Sequence, residues 1–294
     1  MKKSKFYPLY FLVPIFLVYG LFYLLPITLG EVYAFTDWNI YKSDIQFIGF
    51  ENFKQMFMDS TTAKTFWRSI SNTLYFAFAT LIISNIIALL LALALNKDLK
   101  TKGALRLIYY IPTMLCPLAV GLIFSSIYNP NYGLINSLLR SIGLESLTQQ
   151  WLADPKLAMD CVVVAGIWKR FGMTTLIYLA GLQGIPKEYL EAAAIDGSSA
   201  AQKFFHITLP LLISSVTINM FLGLVEGLKV FDFVISLTKG GPGTQTQVLA
   251  TMVYKELASG RYGAATAYEL VLNVIIAILG FAMLILMKKR EVEL

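Results

Sequence analysis

One histidine and two cysteines in 294 residues leave little material for metal or redox chemistry. Cys116 and Cys161 stand far apart, each inside an apolar run, so the chain has no CxxC redox or zinc spacing. His206 stands alone, and a lone histidine beside a helix is ordinarily a surface or packing residue. Walker GxxxxGK[ST], HExxH and GxSxG are missing as well. The chain is therefore expected not to be an enzyme, with no metal site and no cofactor of its own. Charge is scarce too: 14% of residues are charged and 57% are hydrophobic, with a mean hydropathy of +0.65. That balance excludes an ordinary soluble domain and points to a bilayer.

What the chain has in quantity is long apolar runs. Six of them, at about 8–35, 70–95, 107–128, 157–182, 211–238 and 264–287, meet or approach the roughly 20 residues a helix needs to cross a hydrocarbon core. They are too long and too continuous for barrel strands, and lipid demands a backbone that satisfies its own hydrogen bonds. The fold class is all-α: a single six-helix polytopic domain over 1–294. The first run follows Lys2, Lys3 and Lys5 as a signal peptide would, but it outlasts a normal apolar core and no small-residue cleavage site follows, so it reads as a retained anchor.

Lys97, Lys100, Lys102 and Arg106 after the second run, and Lys288, Lys289 and Arg290 at the end, share a side with the N-terminal lysines if six spans are present. By the positive-inside rule both termini are then cytoplasmic, in a multi-pass protein of a plasma membrane. The net charge of +6 suits anionic membrane lipid and calls for no nucleic acid.

One stretch departs from its surroundings. EAAAIDGSSAAQKFFHITLP, residues 191–210, lies on the cytoplasmic side between the fourth and fifth runs. Pro186 can occupy a first helical turn, Lys187 to Ile195 are mostly strong helix formers, and Asp196-Gly197 stops the helix. Ser199 and Gln202 have capping-box spacing for a second helix bearing Phe204, Phe205, Ile207 and Leu209, up to Pro210. A surface linker would carry many cations, whereas Glu188, Glu191 and Asp196 beside small alanines suit a protein partner.

These residues resemble a known family. Glu191-Ala192-Ala193, Gly197, then Ile207-x-Leu209-Pro210 match the EAA loop of the permease subunits of bacterial ABC importers. Phe231-Asp232-x5-Thr238-x-Gly240-Gly241-Pro242 is similar to a stretch of the carbohydrate-uptake subfamily, the maltose and glycerol-phosphate type, first permease subunit. Asn72-Thr73, Arg106, Pro112, Trp168-Lys169 and Gly181-Leu182-Gln183-x-Ile185-Pro186 add to it. The resemblance implies a type I permease that translocates a sugar delivered by an extracellular solute-binding protein. It implies a second permease subunit in a heterodimer, and two ATP-binding cassette subunits that use ATP and magnesium. It makes Glu191, Ala192, Ala193, Asp196, Gly197, Ile207, Leu209 and Pro210 the coupling residues within a loop at 184–210.

For the substrate pathway the resemblance points to Trp168, Lys169, Arg170 and Met173 on the fourth span and Gly223, Glu226, Gly227 and Val230 on the fifth. Physics agrees in part, because a charge in mid-membrane costs at least about 2.5–3.5 kcal/mol and marks a cavity or a pathway. Lys169 or Arg170 pairing with Glu226 as glue between helices is the competing reading. Lys229 and Asp232 read as a structural pair, Trp168 and Phe231 as platforms for a sugar ring, and two adjacent cations as a hint of an acidic sugar. An ion-coupled secondary transporter would use the same charges, but it has no task for the EAA loop.

Overall fold

The apolar runs fold as helices in the computed structural model, which describes residues 9–96 and 102–289. Lys2, Lys3, Lys5, Lys97, Lys100 and Arg290, used above for orientation, lie outside the described residues. Among the described residues there are no strands, only an isolated bridge between Thr36 and Phe47. Among these residues four helices are long and apolar enough to cross a bilayer, or six if each of two bent pairs is one span.

The chain divides into two compact units, one formed by the described residues up to Ala63 with Met252–Val271, the other by Lys64–Thr251 with the described residues from Leu272. In the first unit, α1 (Val13–Tyr33) buries none of its apolar window within the chain. A helix apolar on every face needs lipid or another protein around it. Its ladder widens into a π-turn at Gly20–Leu24, just ahead of Pro26, which has no N–H to give. Asn52, in α2 (Glu51–Met58), donates to the carbonyls of Ala34 and Thr36 at 2.9 and 2.8 Å and fixes the chain leaving α1. Asp37 accepts from Lys42 Nζ and from the Gln46 N–H, which together hold its carboxyl below the usual carboxylate range.

The second unit is organised around α3 (Thr62–Leu95), whose 34 residues span about 51 Å. That exceeds a hydrocarbon core of about 30 Å, so the helix extends beyond it. The run expected from residue 70 thus begins at Thr62. Its buried stripe, Ser69, Thr73, Ala77, Thr80, Ser84, Ala88 and Ala92 among others, recurs every three or four positions and is built largely from small residues. Small residues allow close helix approach, the main source of packing between helices in lipid. At the closest point Gly227 faces Ala77, and a Cβ on the glycine would lie 2.8 Å from the Ala77 Cα.

Two runs that read as single spans are not straight. The run at 107–128 is α4 (Lys102–Met114) and α5 (Pro117–Ile127), bent by 100°. Pro117 forces Cys116 into extended backbone (φ −67°, ψ 147°), and Pro112 removes a ladder bond just before it. The run at 211–238 is also interrupted. After α6 (Leu134–Ser141), α7 (Ala158–Gln183), α8 (Lys187–Ile195) and α9 (Ala200–Leu211), the chain turns by 65° into α10 (Ile213–Leu228). It leaves helical geometry at Lys229–Phe231 and starts again as α11 (Asp232–Leu237), with the Asp232 carboxylate at the positive end of the new helix. Then come α12 (Leu249–Ala258) and α13 (Tyr262–Lys288). Helix α7 is the hub of the unit, packed against α4, α5, α10 and α11.

The Gly-Gly-Pro stretch after α11 is pinned to α3 by polar contacts. Asn72 donates to the carbonyls of Gln245 and Gln247 at 2.7 and 2.8 Å, and the Thr73 hydroxyl accepts the Leu249 N–H at 3.0 Å. Thr238 and Thr246 share a hydrogen bond of 2.6 Å across the loop. Asn72→Leu therefore strips two partly buried carbonyls of their donor and is expected to destabilise the unit by about 2 kcal/mol. Thermal unfolding of the detergent-solubilised protein reads this directly, as a lower midpoint for the variant.

Candidate functional site

Two clusters of polar residues interrupt the apolar chain, and both lie on or beside α7. The first is the loop following α7. Pro186 is the N-cap of α8, one position earlier than a first-turn proline, and Glu188 in the first turn complements the helix dipole. The helix ends in a Schellman motif: the Ser198 N–H donates to the Ala193 carbonyl at 3.0 Å and the Gly197 N–H to the Ala194 carbonyl at 3.2 Å. This closure needs a left-handed residue, and Gly197 has φ +72°. Ser199 then caps α9 with the anticipated box, its backbone N–H donating to Gln202 Oε1 at 2.8 Å while its hydroxyl accepts the Gln202 N–H at 3.3 Å. Every bond that shapes the turn is local.

The loop therefore holds its form without help and presents a defined surface. Glu191, Ala192, Asp196 and Gly197 are exposed, and Ile207, Leu209 and Pro210 are half-buried. Ala193 is buried against its own chain. Sequence reasoning did not single out Tyr189 or Ile195, yet Ile195 is 87% exposed at the tip of the helix. An isoleucine beside a helix-stopping Asp-Gly pair was the available signal.

The second cluster lies midway along α7 and α10. The Arg170 guanidinium crosses α10 at Gly223, where a Cβ would land on it. Its Nη2 donates to the Asn219 carbonyl at 3.0 Å and its Nη1 pairs with Glu226 Oε2. The Asn219 amide donates to the Thr174 carbonyl at 3.2 Å. Arg170 Nε and Asn219 Oδ1 are buried with no partner among the described residues. The two halves of the ion pair differ in exposure, at 11% for the Arg170 side chain and 66% for that of Glu226.

Two cavities meet at this pair. One of about 230 Å³ is lined by Gly166, Lys169 and Arg170 of α7, by Glu226 and Gly227 of α10, by Lys229 to Phe233 after it, and by Phe76, Thr80 and Pro117. The other, of about 120 Å³, is lined by Lys169, Arg170, Met173, Thr174 and Ile177 of α7, by Asn219, Leu222 and Glu226 of α10, and by Thr113. Of the eight residues expected on the pathway, Lys169, Arg170, Met173, Glu226, Gly227 and Val230 line one cavity or both. Gly223 makes room for Arg170 instead. Trp168 lines neither; it packs edge-on against Phe124 at 5.4 Å in the core around α5.

Lys229 and Asp232 both line the larger cavity, and among the described residues no ion pair joins them. Sequence reasoning passed over Asn219, although a lone amide in an apolar run is itself a signal, because lipid makes unpaired polar groups costly.

Comparison with known proteins adds the wider context. Residues 84–291 match the family described as binding-protein-dependent transport system inner membrane component. The multiple sugar-binding transport system permease protein MsmF of Streptococcus mutans is 32% identical over 290 residues, covering 98% of both chains. The trehalose/maltose transport system permease protein MalF of Thermococcus litoralis is 33% identical over 267 residues, covering 90% of this chain and 88% of that one. Among solved structures, a chain of a bacterial ABC transporter involved in the import of the acidic polysaccharide alginate superposes with a TM-score of 0.82 at 26% identity, covering 96% of this chain and 95% of that one.

Proposed function

This chain belongs to the family of binding-protein-dependent transport system inner membrane components, and from that premise we propose that it is the translocation subunit of an ATP-driven sugar importer. Sugar-transport permeases align over nearly its whole length, which supports the substrate class. The observation that carries the energy source is the 184–210 loop. A rigid, exposed helix–turn–helix closed by its own capping bonds has no role in a self-contained transporter, but it suits a piece that another protein pushes.

In this reading two ATP-binding cassette subunits hold ATP and magnesium and grip the loop. Glu191 is the polar anchor, exposed Ala192 permits close approach, buried Ala193 ties α8 to its own chain, and Asp196-Gly197 makes the turn. Ile207, Leu209 and Pro210 pass the displacement through α9 into the bent start of α10. Rigid-body motion then changes which side the cavities open to, and the sugar needs only different affinities in the two states. A second permease subunit completes the pathway as a heterodimer, and an extracellular solute-binding protein delivers the sugar. Both termini lie in the cytoplasm, which puts the loop where ATP is.

Co-purification tests the loop assignment. Glu191→Lys is expected to lower recovery of the ATP-binding subunits with this chain by about tenfold, the scale of one charged contact at an interface. Unchanged recovery would remove the loop from the interface.

The finer substrate class rests on Lys169. Arg170 is committed to Glu226, whereas Lys169 lines both cavities and forms no ion pair among the described residues. Like Lys229, which lines the larger cavity only, it is a cation open to the solute, and it suits a sugar acid. Lys169→Ala is expected to raise the KM for an oligouronate by about 10–100-fold, the worth of a hydrogen bond to a charged group. The KM for a neutral oligosaccharide of the same length should move far less, so paired uptake kinetics decide the class.

A further inference from the structure

The two cavities share three residues, Lys169, Arg170 and Glu226, and otherwise diverge in opposite directions along the same two helices. The larger cavity takes Gly166 on α7 and Gly227 with Lys229 and Val230 on the α10 side; the smaller takes Met173, Thr174 and Ile177 on α7 and Asn219 and Leu222 on α10. Moving from one cavity to the other therefore means advancing along α7 while going back along α10. In two antiparallel helices that is one direction along the axis, and the Arg170–Glu226 pair lies between.

We propose that the Arg170–Glu226 ion pair is a gate separating an upper from a lower chamber of the pathway, with Glu226 as the half that moves. This rests on the translocation reading given above. Three observations carry it. Arg170 is fixed, since its side chain is mostly buried, threaded across Gly223 and held by the Asn219 carbonyl. Glu226 lines both cavities and its side chain is two-thirds exposed, so releasing it strands no buried carboxylate. The surroundings are only half-satisfied as well, because Arg170 Nε is a buried donor and Asn219 Oδ1 a buried acceptor, both without partners among the described residues.

A purely structural staple in lipid would be expected to meet all its hydrogen bonds, since each unmet one is costly there. Spare capacity beside the ion pair suits a group that exchanges partners between states. The solute is the natural replacement, because sugar oxygens arriving from either chamber can take the place of the Glu226 carboxylate on the guanidinium. Lys169, which borders both chambers, then follows the solute across.

The test uses the whole complex in proteoliposomes, with Cys116→Ser and Cys161→Ala as background and a membrane-impermeant maleimide applied to either side. Lys229→Cys reports the larger chamber and Met173→Cys the smaller. With the gate intact, the side that labels Lys229→Cys is expected to leave Met173→Cys unlabelled. Adding Glu226→Gln, which keeps size and hydrogen bonding but removes the charge, should speed labelling of Met173→Cys from that side by about tenfold, as a minor open state becomes common. Glu226→Ala should do the same, and a melting curve for each variant shows that the fold is kept.

Equal labelling with and without Glu226, while Lys229→Cys labels normally, would overturn the gate. Labelling of both cysteines from one side in the unmodified pair would overturn it too. Sugar uptake measured in the same vesicles reports separately on the translocation reading, which can fail while the gate stands.

Discussion

Gly223→Leu is expected to abolish sugar uptake, by about 100-fold or more, while the chain still inserts in the membrane. A side chain at position 223 would occupy the space now filled by the Arg170 guanidinium and would crowd Leu81, whose Cδ1 lies 2.6 Å from the position of a Cβ. Even an alanine Cβ would press on the Arg170 guanidinium and on Leu81, and is tolerated only if both give way. Leucine cannot be accommodated, and overpacking of this kind costs about 1–3 kcal/mol. Expelling Arg170 adds the loss of its bonds to Asn219 and Glu226; the Glu226 part is worth less than for a fully buried pair because that carboxylate is largely exposed. A double-mutant cycle identifies the cause. If the clash with Arg170 is responsible, Gly223→Leu should add little in an Arg170→Met background, whereas independent effects would simply add.

Gly197→Val should break the other half of the machine. The position has φ +72° with open space around it, so volume is no obstacle and conformation is everything. A left-handed backbone costs an L-residue about 1–2 kcal/mol, and a β-branched one fares worst. The Schellman closure between Ala193, Ala194, Gly197 and Ser198 should open, and α8 and α9 should lose their fixed angle. The expected phenotype is a complex that assembles and hydrolyses ATP but no longer moves sugar with it. Gly197→Asn should be close to normal, because asparagine tolerates the left-handed region. Parallel measurement of ATP hydrolysis and uptake across glycine, asparagine and valine would show the trend, and equal coupling in all three would separate the turn from the mechanism.

Much of this was legible in the sequence because the signals are local. The 184–210 loop could be read almost bond by bond, since a Gly after a helix and a Ser three residues before a Gln each specify a short-range geometry. The charged residues of α7 and α10 stood out because lipid makes charge costly. The bends were harder to see. Pro112 and Pro117 were visible in an apolar run, but hydropathy does not distinguish a crossing helix from two helices at 100°, and no proline marks the break at Lys229–Phe231. Side-chain direction was least legible. Trp168 and Lys169 are neighbours in sequence, yet on a helix adjacent residues diverge, so one packs into the core and the other borders the cavities.

ATP-dependent uptake in proteoliposomes containing this chain, its partner permease, the ATP-binding subunits and a sugar-loaded binding protein bears on the central claim most directly. Accumulation of labelled oligosaccharide is required only when ATP is enclosed with the ATP-binding subunits, and it should vanish with Gly197→Val and with Gly223→Leu. Accumulation driven by an imposed ion gradient with the ATP-binding subunits absent would contradict that claim and turn Lys169, Arg170 and Glu226 into an ion-coupling site.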